Sequence, residues 1–458
     1  MMNSHVRAAA TSAAGGADKI GIDVWVPHYP IMPFFLDDMQ DLARRFGEIH
    51  PRYRVDVRGY DYLTLPREVH RAALAGNPPT IAQYFYTCAQ EAYDTRTRTG
   101  RPLFTSIERA IAGRREILGE PVVLDDIVPA ARDYYVFDGA VAAMPPLTST
   151  TLLYANTTLL RAAGLPRVPR TWVEIDEACL ALSRLPDGPS HAITWPNHGW
   201  MFQQAVAQQG GLLADHDNGR SGPAERVYLA SAEMMAYVRW WRRLHQDGHY
   251  LYLYDGRQVD WDANFLAFAR QQVAFTLTSS VEAARMVQAG RDGGFTVEAS
   301  PMPHNDAVAR AGDVIGGDSL WLADGLDEAS RDGALAFVQF LNNPRNAADR
   351  HKQTNFIPVT RGALDLLDGQ GWFRDNPHLR VAVDQLDATS GSPASRGALL
   401  GNFAGIQEIM TRAMHDVLVG GADPLARFTR ATVRAQQLLN EYNDYRRGAR
   451  PRGAIGVG

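Results

Sequence analysis

The residue types able to do chemistry are arranged in this sequence to hold a ligand rather than to transform one. His245 and His249 stand four residues apart, the spacing by which one helix face offers two imidazoles to a metal ion. Gly248 interrupts a helix between them, so a solvated helix end accounts for both and no metal is assigned. Gly-x-Ser-x-Gly, the phosphate-cradling P-loop, Gly-x-Gly-x-x-Gly and His-Glu-x-x-His are all absent. Lysine occurs only at Lys19 and Lys352 among 46 basic residues, and neither sits in a motif that makes a Schiff-base amine or a phosphate ligand. The acidic residues number 51, with no pair in a recognisable catalytic motif. No enzyme, metal or cofactor is expected.

Aromatic and small hydroxyl residues cluster instead. Tyr60, Tyr62, Tyr84, Phe85 and Tyr86 crowd the ends of the early strands, and Trp195 and Trp200 flank Pro196-Asn197-His198-Gly199. Ser149, Thr150, Ser279, Ser280 and Ser319 lie beside extended runs. Such a set suits a sugar or polyol, whose C–H face stacks on a ring while its hydroxyls give and take hydrogen bonds.

The elements that must position these residues follow from periodicity. Ile20, Ile22, Val24 and Val26 alternate as a strand, and Leu36, Met39, Leu42, Ala43 and Phe46 follow at helical spacing. A strand over 53–57, a helix near 65–76 and a strand around 80–85 continue the pattern of a parallel α/β sheet with right-handed crossovers. A second block opens near Thr151 with a strand at Leu152-Leu153-Tyr154. Thr171-Trp172-Val173-Glu174 then reads as a capping box. Helices are expected near 231–247, 261–271, 327–343 and 344–352, with β-runs at 273–278 and within 295–321. Asp423-Pro424 opens a long last helix.

Composition sets the outer limits. The chain has 458 residues, a net charge of −5 and no basic stripe of the kind nucleic acid requires. Two cysteines, Cys88 and Cys179, cannot build a disulfide framework, and their pairing is left open. No apolar run reaches membrane-spanning length, and Met1–Gly16 lacks the apolar core of an export signal.

Several separate motifs, in order, resemble those of extracellular solute-binding proteins of carbohydrate-type ABC importers (family 1). They are Gly76-Asn77-Pro78-Pro79, the run 149–156, Ile315-Gly316-Gly317-Asp318-Ser319-Leu320-Trp321, the run 343–348, the run 353–360, Asn376-Pro377 and Leu400-Gly401-Asn402. Within that family the sequence looks most like the glycerol-3-phosphate and glycerophosphodiester binders. The resemblance implies a two-lobed periplasmic-binding-protein fold, type II-like, with several hinge crossings and a ligand cleft that closes on binding. It also implies delivery to a membrane permease served by a separate ATPase, and an extracytoplasmic location with lipid anchoring through a segment absent from this chain. A monomer is the expected state because each cleft is self-contained. The lobes are expected at 19–148 plus about 281–336 and at 149–280 plus about 337–445, between a lead-in of 1–18 and a flexible tail of 446–458.

Carried over by resemblance, the ligand-binding positions are Tyr62 (or Tyr60, across a one-residue gap), Ser149, Trp195, Trp200, Ser279 or Ser280, and the backbone N–H of Gly317. Four departures bear on the ligand. Tyr86 stands where the family has a glutamate, Phe356 where it has a tyrosine, and Leu399 where it has a phosphate-binding arginine. Asp318 replaces a small neutral residue, and Arg396 is the arginine nearest to the altered position. An acid gained and a bidentate arginine lost both disfavour phosphate. The expected ligand is a neutral or amino sugar or a short oligosaccharide, stacked on Trp195 and Trp200 and held by Asp318 and Arg396. A glycerophosphodiester clamped by Arg396 is the alternative. A cleft glycosidase or lyase, and a receptor-like sensor, rank below it.

Overall fold

The computed structural model describes residues 19–29, 34–62, 64–257 and 259–448. The expected lead-in of 1–18 lies outside the described residues, as does the tail beyond 448. The framework is two sheets. In the first, Tyr53–Asp61, Ile20–His28, Ile81–Phe85, Gly316–Ala323 and Phe104–Thr105 lie side by side in that order, and Met144–Ser149 also pairs with Gly316–Ala323. Ile20–His28 runs parallel to both of its neighbours, as the alternation of strands and helices requires. The helix Phe34–Ile49 buries Met39, Leu42, Ala43 and Phe46 as the 3–4 spacing predicts, with Phe35 in place of the expected Leu36 as the first buried residue.

The second sheet is Ile193–Thr194, Phe275–Ser279, Thr151–Asn156 and Val297–Pro301. Thr151–Asn156 is antiparallel to both of its partners. Helix starts follow the sequence signals: Thr171 accepts from the Glu174 N–H at 3.2 Å and Asp423 from the Ala426 N–H at 2.8 Å. Glu174 reaches back to the Arg170 N–H at 2.6 Å, one residue before the cap, which completes the box in a shifted form.

One expected boundary is corrected by strand pairing. Residues from about 281 were assigned to the first lobe, yet Val297–Pro301 pairs with Thr151–Asn156, Ser300 opposite Leu153. The chain rejoins the first sheet only at Gly316. The helix Glu328–Asn342 then packs Phe337, Phe340 and Leu341 into the core that holds Phe46, so this return extends past 336. Cys88 and Cys179 are not joined to one another.

The sheets meet at Thr150, the single residue between Met144–Ser149 and Thr151–Asn156. It is fully buried. Its N–H donates to Ser280 Oγ at 3.2 Å, and its hydroxyl donates to the Val314 carbonyl at 3.1 Å. The Gln385 amide donates to the same hydroxyl at 3.1 Å and to the Thr151 carbonyl at 2.8 Å. A further crossing is pinned beside it, where the Ile357 N–H donates to the Thr148 carbonyl at 2.8 Å.

Gly317 lies opposite Thr148 with φ of 116°, a conformation that L side chains rarely adopt. A Cβ there would also overlap the Leu147 carbonyl. Gly317→Ala is expected to destabilise the fold by about 1–3 kcal/mol, seen as a lowered midpoint in thermal denaturation; an unchanged midpoint would contradict the assignment.

Candidate ligand-binding site

The ends of the first sheet's strands bring one polar group together. Asp318 is buried at the start of Gly316–Ala323, opposite Phe85. The Tyr29 hydroxyl donates to its carboxylate at 2.9 and 3.0 Å, and Gln83 Nε2 donates at 2.6 Å. No cation among the described residues pairs with it. Burial pushes its pKa up to about 7, and the bonds from Gln83 and Tyr29 act in the opposite direction. All three of these bonds come from side chains, none from backbone N–H groups.

Tyr62 lies against Tyr29, with ring centroids 5.4 Å apart, and so belongs to this group. Tyr60 lies elsewhere, its ring on Trp25 at 4.4 Å. Tyr86 is buried, and its hydroxyl accepts from Gln407 Nε2 at 3.0 Å. Its ring meets Tyr134 at 5.9 Å.

Ser149 and Gly316 face each other where the chain crosses between sheets. A Cβ on Gly316 would come within 2.9 Å of both Ser149 Oγ and the Trp200 ring, so Trp200 of the second lobe lies directly on first-lobe backbone. Its partner ring is Trp261, at 6.5 Å. Trp195 is placed differently from expectation. It is 1% exposed and enclosed by Tyr237, Trp240, Trp241 and Tyr250, with centroids 4.5–6.5 Å away. That is core packing within one lobe, and it leaves no ring face for a ligand. Ser279 Oγ accepts from the Val281 N–H at 3.4 Å, whereas Ser280 is committed to Thr150. Phe356 packs with Phe35 and Leu147.

Residues 396–399 complete the seam. Leu399 is buried, and its N–H donates to the Asn218 carbonyl at 2.9 Å. Arg396 keeps a buried Nε without a hydrogen-bond partner. Beside it Arg220, which sequence reasoning did not single out, donates to four backbone carbonyls. Two are on the first lobe, Asp133 at 3.2 Å and Tyr134 at 2.7 Å; two are on the second, Gly397 at 2.9 Å and Arg396. Burial pushes the Arg220 pKa down to about 10, with Arg396 repulsion adding to it and Tyr134 opposing. The Tyr134 hydroxyl donates to the Ala398 carbonyl at 3.0 Å and the Tyr442 hydroxyl to Asp94 at 2.9 Å, so the lobes are bonded together along the seam. Tyr29, Gln83, Tyr134, Gln203, Arg220, Trp261 and Gln407 were all missed from sequence. Gln83 carried a signal, a polar residue inside the otherwise apolar and aromatic strand Ile81–Phe85.

Residues 41–381 match the family described as bacterial extracellular solute-binding protein. The chain belongs to that family. It is 27% identical over 416 residues to the sn-glycerol-3-phosphate-binding periplasmic protein UgpB of Salmonella typhimurium, covering 88% of this chain and 90% of that protein. The crystal structure of UgpB from Mycobacterium tuberculosis in complex with glycerophosphocholine is 25% identical with a TM-score of 0.71, over 93% of this chain and 99% of that one. The sugar-binding protein MalE from Xanthomonas citri superposes with a TM-score of 0.74 at 19% identity, over 92% and 98% of the two chains. The fold is therefore the two-lobed periplasmic-binding-protein fold, and the chain is a non-enzymatic transport component. No helix among the described residues is long and apolar enough to cross a membrane.

Two outcomes are expected from this geometry. The Asp318 carboxyl has a folded pKa of about 7 against an ordinary 3.8, so the native state holds a proton that the unfolded chain releases. Its contribution to stability is present at low pH and lost as pH rises through that window. Asp318→Asn should remove the loss, so its advantage over wild type in denaturant midpoint grows between pH 4 and 7; a constant difference would refute this. Arg220→Met should weaken the closed form by about 1.5–3 kcal/mol. Small-angle scattering would then give a larger radius of gyration than wild type at saturating ligand, and equal radii would refute a role for Arg220 in holding the lobes together.

Proposed function

We propose that this chain captures a carbohydrate, a neutral or amino sugar or a short oligosaccharide, between its lobes and delivers it to the permease and ATPase subunits of an ABC importer. The observation that carries the reading is Asp318, a buried carboxyl with no cation beside it among the described residues, held by Tyr29 and Gln83. Such a group accepts from hydroxyls or an ammonium and repels a phosphate. Leu399, in the place of the family's phosphate-binding arginine, supports the same choice. Trp200 and Trp261 replace the expected Trp195 and Trp200 pair as the stacking surface. Ser149, Tyr62 and the Gly317 N–H are assigned to ligand hydroxyls. The chain acts as a monomer outside the cytoplasm.

The second reading is a glycerol-3-phosphate or glycerophosphodiester ligand with Arg396 as the clamp. It is favoured by the unpartnered Arg396 Nε and by the ligands that the names of the two UgpB relatives give for those proteins.

Thermal denaturation with glucose, glucosamine, maltose, chitobiose, glycerol-3-phosphate and glycerophosphocholine separates the two. A ligand at about 100 times its Kd stabilises by about 2.7 kcal/mol, well within reach of the measurement. A raised Tm with sugars alone is the expected result; a raised Tm with the phosphate esters alone would replace the first reading by the second.

A further inference from the structure

Three glutamines of the helix Gly199–Gln208 are buried, and their amides meet different fates. Gln204 is satisfied at both ends: its Nε2 donates to the Val314 carbonyl at 2.9 Å, and its Oε1 accepts from the Val314 N–H at 3.0 Å. Gln208 Nε2 donates to the Met302 carbonyl and to Asp313 at 3.1 and 2.8 Å. Gln203, 2% exposed, has no partner for either Nε2 or Oε1. One turn earlier on the same face, the Trp200 indole N–H is also buried without a partner.

Both side chains stand at the seam, Trp200 against the first lobe and Gln203 beside Gly397 of its own lobe, where the Tyr134 ring of the first lobe also lies. Trp200 lies on Gly316, and a Cβ placed on Gly397 would sit 3.0 Å from Gln203 Nε2 and 2.8 Å from the Tyr134 ring. Buried amides are paired in folded proteins, and leaving one unpaired carries the full cost of its desolvation. Closure of the empty protein therefore sets a donor and an acceptor of Gln203, and a donor of Trp200, against nothing.

We propose that Gln203 is a specificity-determining ligand residue that grips two adjacent hydroxyls of a sugar ring, Oε1 accepting from one and Nε2 donating to the other, with Trp200 Nε1 donating alongside. The assignment deepens the carbohydrate reading and rests on it. A phosphate or carboxylate group offers acceptors only and leaves Gln203 Oε1 unpaired, whereas a vicinal diol offers both roles at once; a sugar ring holds that diol at a fixed angle, and the glycerol moiety of a glycerophosphodiester does not. The same arrangement makes empty closure unfavourable, because the unpaired amide loses its water when the lobes meet.

The test is calorimetric titration of the full chain with glucose, maltose, glucosamine, chitobiose and glycerophosphocholine, wild type against Gln203→Met. Methionine keeps the length and shape of glutamine without its polar atoms, and Gln203→Leu serves if that variant does not fold. The expected result is a sugar Kd at least tenfold weaker in the variant. It comes with a smaller radius of gyration of the ligand-free protein in small-angle scattering, since the barrier to empty closure has gone. A purely structural glutamine would leave the ligand-free radius unmoved. Equal sugar Kd in wild type and both variants overturns the inference and leaves the carbohydrate reading standing. Binding of glycerophosphocholine with none of the sugars overturns that reading and this assignment together.

Discussion

Everything in this molecule turns on how one extended stretch serves two sheets. Met144–Ser149 and Thr151–Asn156 are separated by Thr150 alone, and that residue is bonded by the Ser280 side chain, the Val314 carbonyl and the Gln385 amide. Each of these partners comes from a different part of the chain. A buried threonine with its polar atoms satisfied from three directions fixes where the lobes pivot. Ser149 and Gly316 are at the pivot itself, Trp200 rests on them, and Gly317 and Asp318 follow immediately along the strand. The candidate site is thus a product of the crossing, and its geometry is inherited from the hinge.

The two sides of the seam differ in chemistry. The first lobe offers a carboxyl with Tyr29, Gln83 and Tyr62 about it. The second offers indole rings, the amide of Gln203 and the guanidinium of Arg396. A ligand with hydroxyls around a ring can address both at once, which neither a plain anion nor an apolar molecule does.

Much of the fold was legible because periodicity and caps are local. The stripe from Met39 to Phe46, the cap at Thr171 and the Asp423-Pro424 start each read directly from a few neighbouring residues. The lobe boundary near 281 was not legible, since Val297–Pro301 can pair with either sheet as far as sequence goes and only its partner Thr151–Asn156 decides. Site residues divide in the same way. Asp318 and Ser149 lie in recognisable motifs, whereas Trp200 and Tyr62 stand out only as aromatics at expected loops and strand ends. Trp195 carries the same residue type as Trp200, but the rings that enclose it come from 237–250, a distance in sequence that no spacing rule bridges. Arg220, Gln407 and Tyr134 act by meeting across the seam, and nothing local to any of them announces it.

The Arg220 contacts carry an evolutionary corollary. All four of its acceptors are main-chain oxygens, at positions 133, 134, 396 and 397. Every amino acid presents that oxygen, so these four bonds place no demand on side chains, although the Tyr134 hydroxyl and the left-handed backbone of Gly397 fix two of the positions on other grounds. The side chain at 396 is therefore at liberty to change while these bonds between the lobes stay intact. A transporter subunit built this way can change diet by substitution in one short loop, without redesigning the hinge that hands the cargo on.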